Sequence, residues 1–160
     1  MPRAPAKAAA ASPTKAIAGF LAKYTPEIAA FGRAARTGLR KQVPGGVELV
    51  YDNYNGLVFG YGPTARPSDA VLSLVLFPRW VTLCFLKGAR MPDPKKLLRG
   101  SGTIVRHVRL VAASDLEKPD LRSLIGHAVI AASPPFPGQS RRQTVIRAVS
   151  AKQRPRRVET

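Results

Sequence analysis

The chain has 160 residues and a mass of 17.2 kDa, with 26 Lys and Arg against 9 Asp and Glu for a formal net charge of +17. This length fits one domain, and with 45% hydrophobic and 22% charged residues the composition is too apolar for wholesale disorder. No apolar run approaches the roughly 20 residues that span a bilayer: the longest, Ala70–Phe77, is interrupted by Ser73 and closed by Pro78.

Residues 1–13 carry Arg3 and Lys7 with no acid among Ala and Pro, and read as a mobile basic tail. Ala8–Ala11 is too short and too weakly apolar for a secretory signal. The absence of acids resembles a transit peptide only loosely, so a cytoplasmic protein is expected. A folded domain is expected over residues 14–133.

Thr14 is the expected N-cap of a short helix with Ile17, Phe20 and Leu21 on one stripe. A second helix starts at Thr25-Pro26-Glu27, where a capping hydroxyl, a proline at the first position and an acid all suit the positive helix end. Its apolar stripe is Ile28, Phe31, Ala35 and Leu39; Arg33, Arg36 and Arg40 are expected to face outward, and Pro44-Gly45-Gly46 ends it.

The period then changes from helical to alternating. Val47–Tyr51 and Gly56–Tyr61 read as strands joined by Asp52-Asn53-Tyr54-Asn55, with Asn55-Gly56 a strong hairpin dipeptide. Ala70–Phe77 reads as a strand covered on both faces, and Trp80–Leu86 returns antiparallel after Pro78-Arg79. Asp93-Pro94 predicts a short helix ending at Gly100, and Ile104–Val111 predicts a fifth strand. Ser114-Asp115-Leu116-Glu117 matches a capping box before a last helix from Pro119, with Leu121, Leu124, Ile125, Ala128 and Val129 inward. This order predicts an α+β fold: about five mainly antiparallel strands, two N-terminal helices and one C-terminal helix.

Residues 134–160 open, after Ser133, with Pro134-Pro135-Phe136-Pro137-Gly138 and hold seven basic residues against Glu159, so they read as a second mobile tail. Arg141, Arg142, Arg147, Lys152, Arg154, Arg156 and Arg157 would draw phosphates by counterion release without reading base sequence. No aromatic residue follows Phe136, so the tail offers no base stacking. A merely solubilising tail is the plainer alternative.

Enzyme signatures are absent from the sequence. No Ser sits in a nucleophile elbow, neither His stands at a recognisable distance from an acid and a nucleophile, and Cys84 lies inside an apolar run where a reduced, buried thiol is expected. Gly100-Ser101-Gly102 leads from a predicted helix into a strand, the reverse of a phosphate loop. Asp115, Glu117 and Asp120 are the nearest approach to a hard metal site, and the same acids suit a helix start equally.

Arg106 is the odd residue in Arg106-His107-Val108-Arg109, since strand alternation sets it on the apolar face with Ile104, Val108 and Leu110. It requires either an internal acid, Asp52, Asp93 or Asp115, or an anionic ligand held in a groove with Lys87, His107 and Arg109.

Residues 88–125 resemble the YdhG-like family of small bacterial domains of unknown function. Gly88, Met91-Pro92-Asp93-Pro94, Leu97-Leu98, Gly100-Ser101-Gly102, Arg106-His107-Val108-Arg109-Leu110 and Asp115-Leu116 through Pro119 to Arg122 and Leu124-Ile125 carry the likeness. Where many members have Trp-Gly-x-Pro after the second helix, this chain reads Val50-Tyr51-Asp52-Asn53-Tyr54-Asn55-Gly56. The resemblance implies a curved antiparallel sheet with helices packed against it, and with the residues above it makes a cytoplasmic, non-enzymatic module that binds a protein or a small anion the expected function. It also implies a frataxin-like intracellular iron-chaperone role as a candidate activity, with iron as cargo and no resident cofactor.

Overall fold

The computed structural model describes residues 12–138 and 141–158. Most of the expected N-terminal tail, residues 1–11, lies outside them. Ser12, not Thr14, caps α1 (Pro13–Leu21): its Oγ accepts from the Lys15 amide at 3.2 Å, and Pro13 takes the first helical position. Proline there is pre-set for a helix and has no orphan N–H, which draws the start to the Ser-Pro pair. In α2 (Pro26–Arg40) Thr25 Oγ1 accepts from the Ile28 amide as expected.

The strands are β1 (Val47–Asp52), β2 (Leu57–Gly62), β3 (Leu72–Leu76), β4 (Val81–Phe85), β5 (Arg106–Leu110) and β6 (Gln143–Val149), with α3 (Pro119–Ile130) between the last two. They form one sheet in the order β5-β4-β3-β2-β1-β6. β1 through β5 pair antiparallel, whereas β6 runs parallel to β1, so the sheet is six-stranded and mixed. Gly46 permits the tight approach into β1. It has φ +78°, and a Cβ there would lie 2.3 Å from the Gly62 carbonyl oxygen.

The pleat sorts the strands into two faces. Val50, Phe59, Leu74 and Leu83 share a register row and join Ile17, Leu39, Leu124 and Ile125 of the helices in one core. The next row, Leu49, Gly60, Ser73, Cys84 and His107, takes the opposite face, where Val58, Val75, Cys84 and Val145 remain half-buried. β3 is therefore not covered equally on both sides, and Cys84 is half-buried instead of enclosed.

Two further expectations change. Asp93–Gly100 is not a helix: the Asp93 carboxylate accepts from the Leu97 and Leu98 amides at 2.9 Å each, and Lys96 sits at φ +54°. The acid that suits a helix N-cap equally closes a loop when the chain turns left-handed. The expected C-terminal tail contains β6. Its Thr144-Val145-Ile146 core is a good strand sequence, and the free edge of β1 supplies the backbone partners that composition alone does not reveal.

Candidate functional site

Two fully buried carboxylates stand on the core face of β1, one near each end. Glu48 receives a two-pronged contact from Arg36, Nε to Oε2 and Nη2 to Oε1, both at 2.8 Å. Tyr61 donates its hydroxyl to Oε2 at 2.6 Å, Thr144 of β6 donates to Oε1 at 2.9 Å, and Arg40 Nη1 stands 3.8 Å away. Burial alone would raise the Glu48 carboxyl; the hydrogen bonds of Arg36 and Tyr61 and the charges of Arg36 and Arg40 hold it below its usual value. Arg36 and Arg40 thus correct the expected outward stripe. They flank the buried face of α2, and their long side chains reach over to an acid that helical periodicity cannot show.

Asp52 is the second anchor. Lys23 Nζ meets Oδ2 at 2.7 Å and Arg156 Nη2 meets Oδ1 at 2.9 Å. Arg156 also donates to the Tyr54 and Asn53 carbonyls, and its guanidinium lies 5.8 Å from the Tyr24 ring. Burial again works against ionisation of Asp52, and hydrogen bonds from Lys23, Arg156 and Gln153 with the Lys23 charge outweigh it, so the carboxyl stays below its usual value. Arg142 makes a matching clamp at the start of β6, donating to the Arg40 and Val43 carbonyls.

The remaining acids are largely spent on structure. Asp93 serves backbone amides, Asp69 accepts from Thr64, and Asp115 Oδ2 accepts from the Val111 and Ala112 amides at 2.8 and 3.2 Å. Burial would raise the Asp115 carboxyl, and those amides with Lys118 lower it overall. Among the described residues 19 basic side chains are exposed but only three acidic ones, Glu27, Glu117 and Asp120. Basic side chains thus outnumber acidic ones about six to one among the exposed described residues, against about three to one in the full sequence.

The sequence-predicted ligand groove does not converge. Arg106 sits in register with Phe85, its Cβ region against Gly88, and donates to the Gly102 and Val105 carbonyls, with neither an acid nor Lys87 as partner. Lys87 lines a hollow with Arg90, Thr103 and Ile104. His107 and Arg109 project to the other face of the sheet, His107 opposite Cys84. Burial pushes the Cys84 thiol up despite its Ser73 hydrogen bond, which favours the protonated thiol over the thiolate.

The candidate metal acids are dispersed as well. Glu117 faces Arg122 at 3.8 Å, Asp115 faces Lys118 at 3.1 Å, and Asp120 lies with Asp93 and His127 on another hollow. No group of three metal-ligating side chains occurs among the described residues.

The seven C-terminal basic residues divide in two. Arg142 and Arg156 turn inward, whereas Arg141, Arg147, Lys152, Arg154 and Arg157 are exposed, Arg157 donating to the Ala22 and Lys23 carbonyls. Folding also brings aromatic rings to this segment, which sequence reasoning missed. A cleft of about 600 Å³ opens between the β3–β4 turn and residues 154–158, lined by Asn55, Phe77, Pro78, Arg79, Trp80, Arg154, Pro155 and Val158. Phe77 and Trp80 lie 5.8 Å apart at 43°, Arg109 covers Trp80 at 4.3 Å, and Arg154 stands 5.8 Å from the exposed Tyr54 ring. Aromatic residues at two hairpin turns, with Arg79 in the second, were the available signal, but nothing local joins those turns to the C-terminal segment. None of the described helices is long and apolar enough to cross a membrane. No protein-family model, curated protein or solved structure matches this chain.

Proposed function

We propose that the protein is a small, cytoplasmic, non-enzymatic module of YdhG-like type that binds nucleic acid through its exposed basic surface. The observation that carries this reading is the imbalance of exposed charge among the described residues: 19 basic side chains against three acidic ones, a compositional excess that β1 sharpens by taking two carboxylates into the interior. Such a surface gains affinity by releasing counterions from a phosphate backbone. The binding residues differ from those of a free tail: Arg147, Lys152 and Arg154 act from a folded segment, and Arg142 and Arg156 hold that segment in place.

The test is fluorescence anisotropy of the full chain with labelled oligonucleotides from low to physiological salt. Binding should weaken linearly on logarithmic axes with a slope on the order of −4, the value for about five phosphate contacts. The double variant Arg147→Glu with Lys152→Glu should weaken binding and flatten the slope. Absence of binding at low salt, or binding indifferent to salt, overturns the reading.

A further inference from the structure

We infer that the cleft between the β3–β4 turn and residues 154–158 takes unpaired bases of single-stranded nucleic acid; this rests on the nucleic-acid reading above and names its substrate class. The walls combine the two groups such a ligand needs. Phe77 and Trp80 offer aromatic surface, and Arg79 and Arg154 bring positive charge to the same lining. No acid is among the described lining residues. Aromatic stacking holds bases of any identity, and arginines beside it hold the phosphates.

The hollow of about 600 Å³ lies within the range of small-ligand sites and is open to solvent, with room for a base that is free of its partner to lie against the rings. A duplex could meet the arginines but not the rings. An acidic peptide could likewise pair with Arg79 and Arg154 and would leave Phe77 and Trp80 without work, so the nucleic acid is the better match.

The site is also built, since one wall is set from inside the protein. Arg156, buried against Asp52, stands between Pro155 and Arg157 and fixes the height at which Arg154 and Pro155 face the turn. Asn55 lines the cleft from the β1–β2 turn, and the neighbouring Tyr54 carbonyl accepts from both the Arg154 amide and Arg156. Three segments distant in sequence thereby meet at one end of the sheet.

Trp80 is the chain's only tryptophan, which makes the cleft self-reporting. The experiment titrates the full chain with oligo-dT of twelve nucleotides, a duplex of the same length and a polyglutamate peptide, following tryptophan emission and anisotropy together. Single strands should quench Trp80 and bind more tightly than the duplex, and Trp80→Ala should weaken oligo-dT on the order of tenfold while leaving duplex binding within about twofold. Trp80→Phe should restore most of the single-strand affinity.

Equal binding of both nucleic acids with no quenching overturns this inference and leaves the basic-surface reading standing. Binding of neither overturns both. Stronger quenching by polyglutamate than by oligo-dT assigns the cleft to an acidic peptide and overturns it too. Quenching in the unmodified chain decides the matter even if Trp80→Ala does not fold.

Discussion

Arg156 and Arg154 stand two positions apart and do opposite work. At the Asp52 end of β1 a guanidinium is sealed between a carboxylate, two carbonyls and a tyrosine ring. At the same end of the sheet, beside the hairpin turns, Arg79 and Arg154 are exposed next to aromatic rings with no acid in the described lining. The first region joins the C-terminal segment to the fold, and the second gives that segment something to present. Positive charge here is therefore two populations, one neutralised inside and one left free, and net charge by itself distinguishes neither.

The comparison can be broken by substitution, and the largest effect belongs to the interior. Asp52→Asn keeps the shape but leaves Arg156 without its counter-charge, so the loss in denaturant unfolding should be about 3–5 kcal/mol. A loss below about 1 kcal/mol would show that the pair is not the clamp described.

Acid should reproduce part of this loss. The Glu48 and Asp52 carboxyls are held below their ordinary values of 4.5 and 3.8, so the unfolded chain takes up protons before the folded one does. Their contribution is complete above those ordinary values and is lost as pH falls through the lower, folded-state values. Denaturation midpoints measured downward from pH 6 should be flat at first and then fall, and Asp52→Asn should fall less steeply than the unmodified chain. Equal slopes would count against the pairing.

Arg106→Leu sharpens the contrast from a third position. Arg106 bonds only to carbonyls of its own loop, so its removal should cost about 0.5–1.5 kcal/mol, well short of a broken buried pair. Arg154→Ala is the smallest of the series. Because its backbone amide still reaches the Tyr54 carbonyl, stability should change by no more than about 0.5 kcal/mol while oligonucleotide binding weakens.

The parts of the fold legible in advance are those whose causes are local. Thr25-Pro26 marks a helix start wherever it is placed, and Asn55-Gly56 with flanking β-branched residues marks a hairpin, so both stand where the pattern predicts them. The α+β class and the three helices follow from the same short-range signals. The misreadings share another origin. Asp93 satisfies amides in a loop as readily as in a helix, and the strand character of Gln143–Val149 is outweighed by neighbouring prolines and arginines until an edge is present to receive it.

The candidate site divides along the same line. Excess positive charge and a basic C-terminal segment are properties of composition, and no arrangement of the chain could remove them. Which arginines are free was decided by the tertiary structure, because burying Glu48 and Asp52 requires charge partners and only closure of the fold brings Arg36, Arg156 and Lys23 within about 3 Å of them. The meeting of Trp80, Tyr54 and Arg154 is of the same kind. Residues as much as 100 positions apart in sequence share one end of the sheet only because β6 runs parallel to β1 and carries the C-terminal segment back to the hairpin turns.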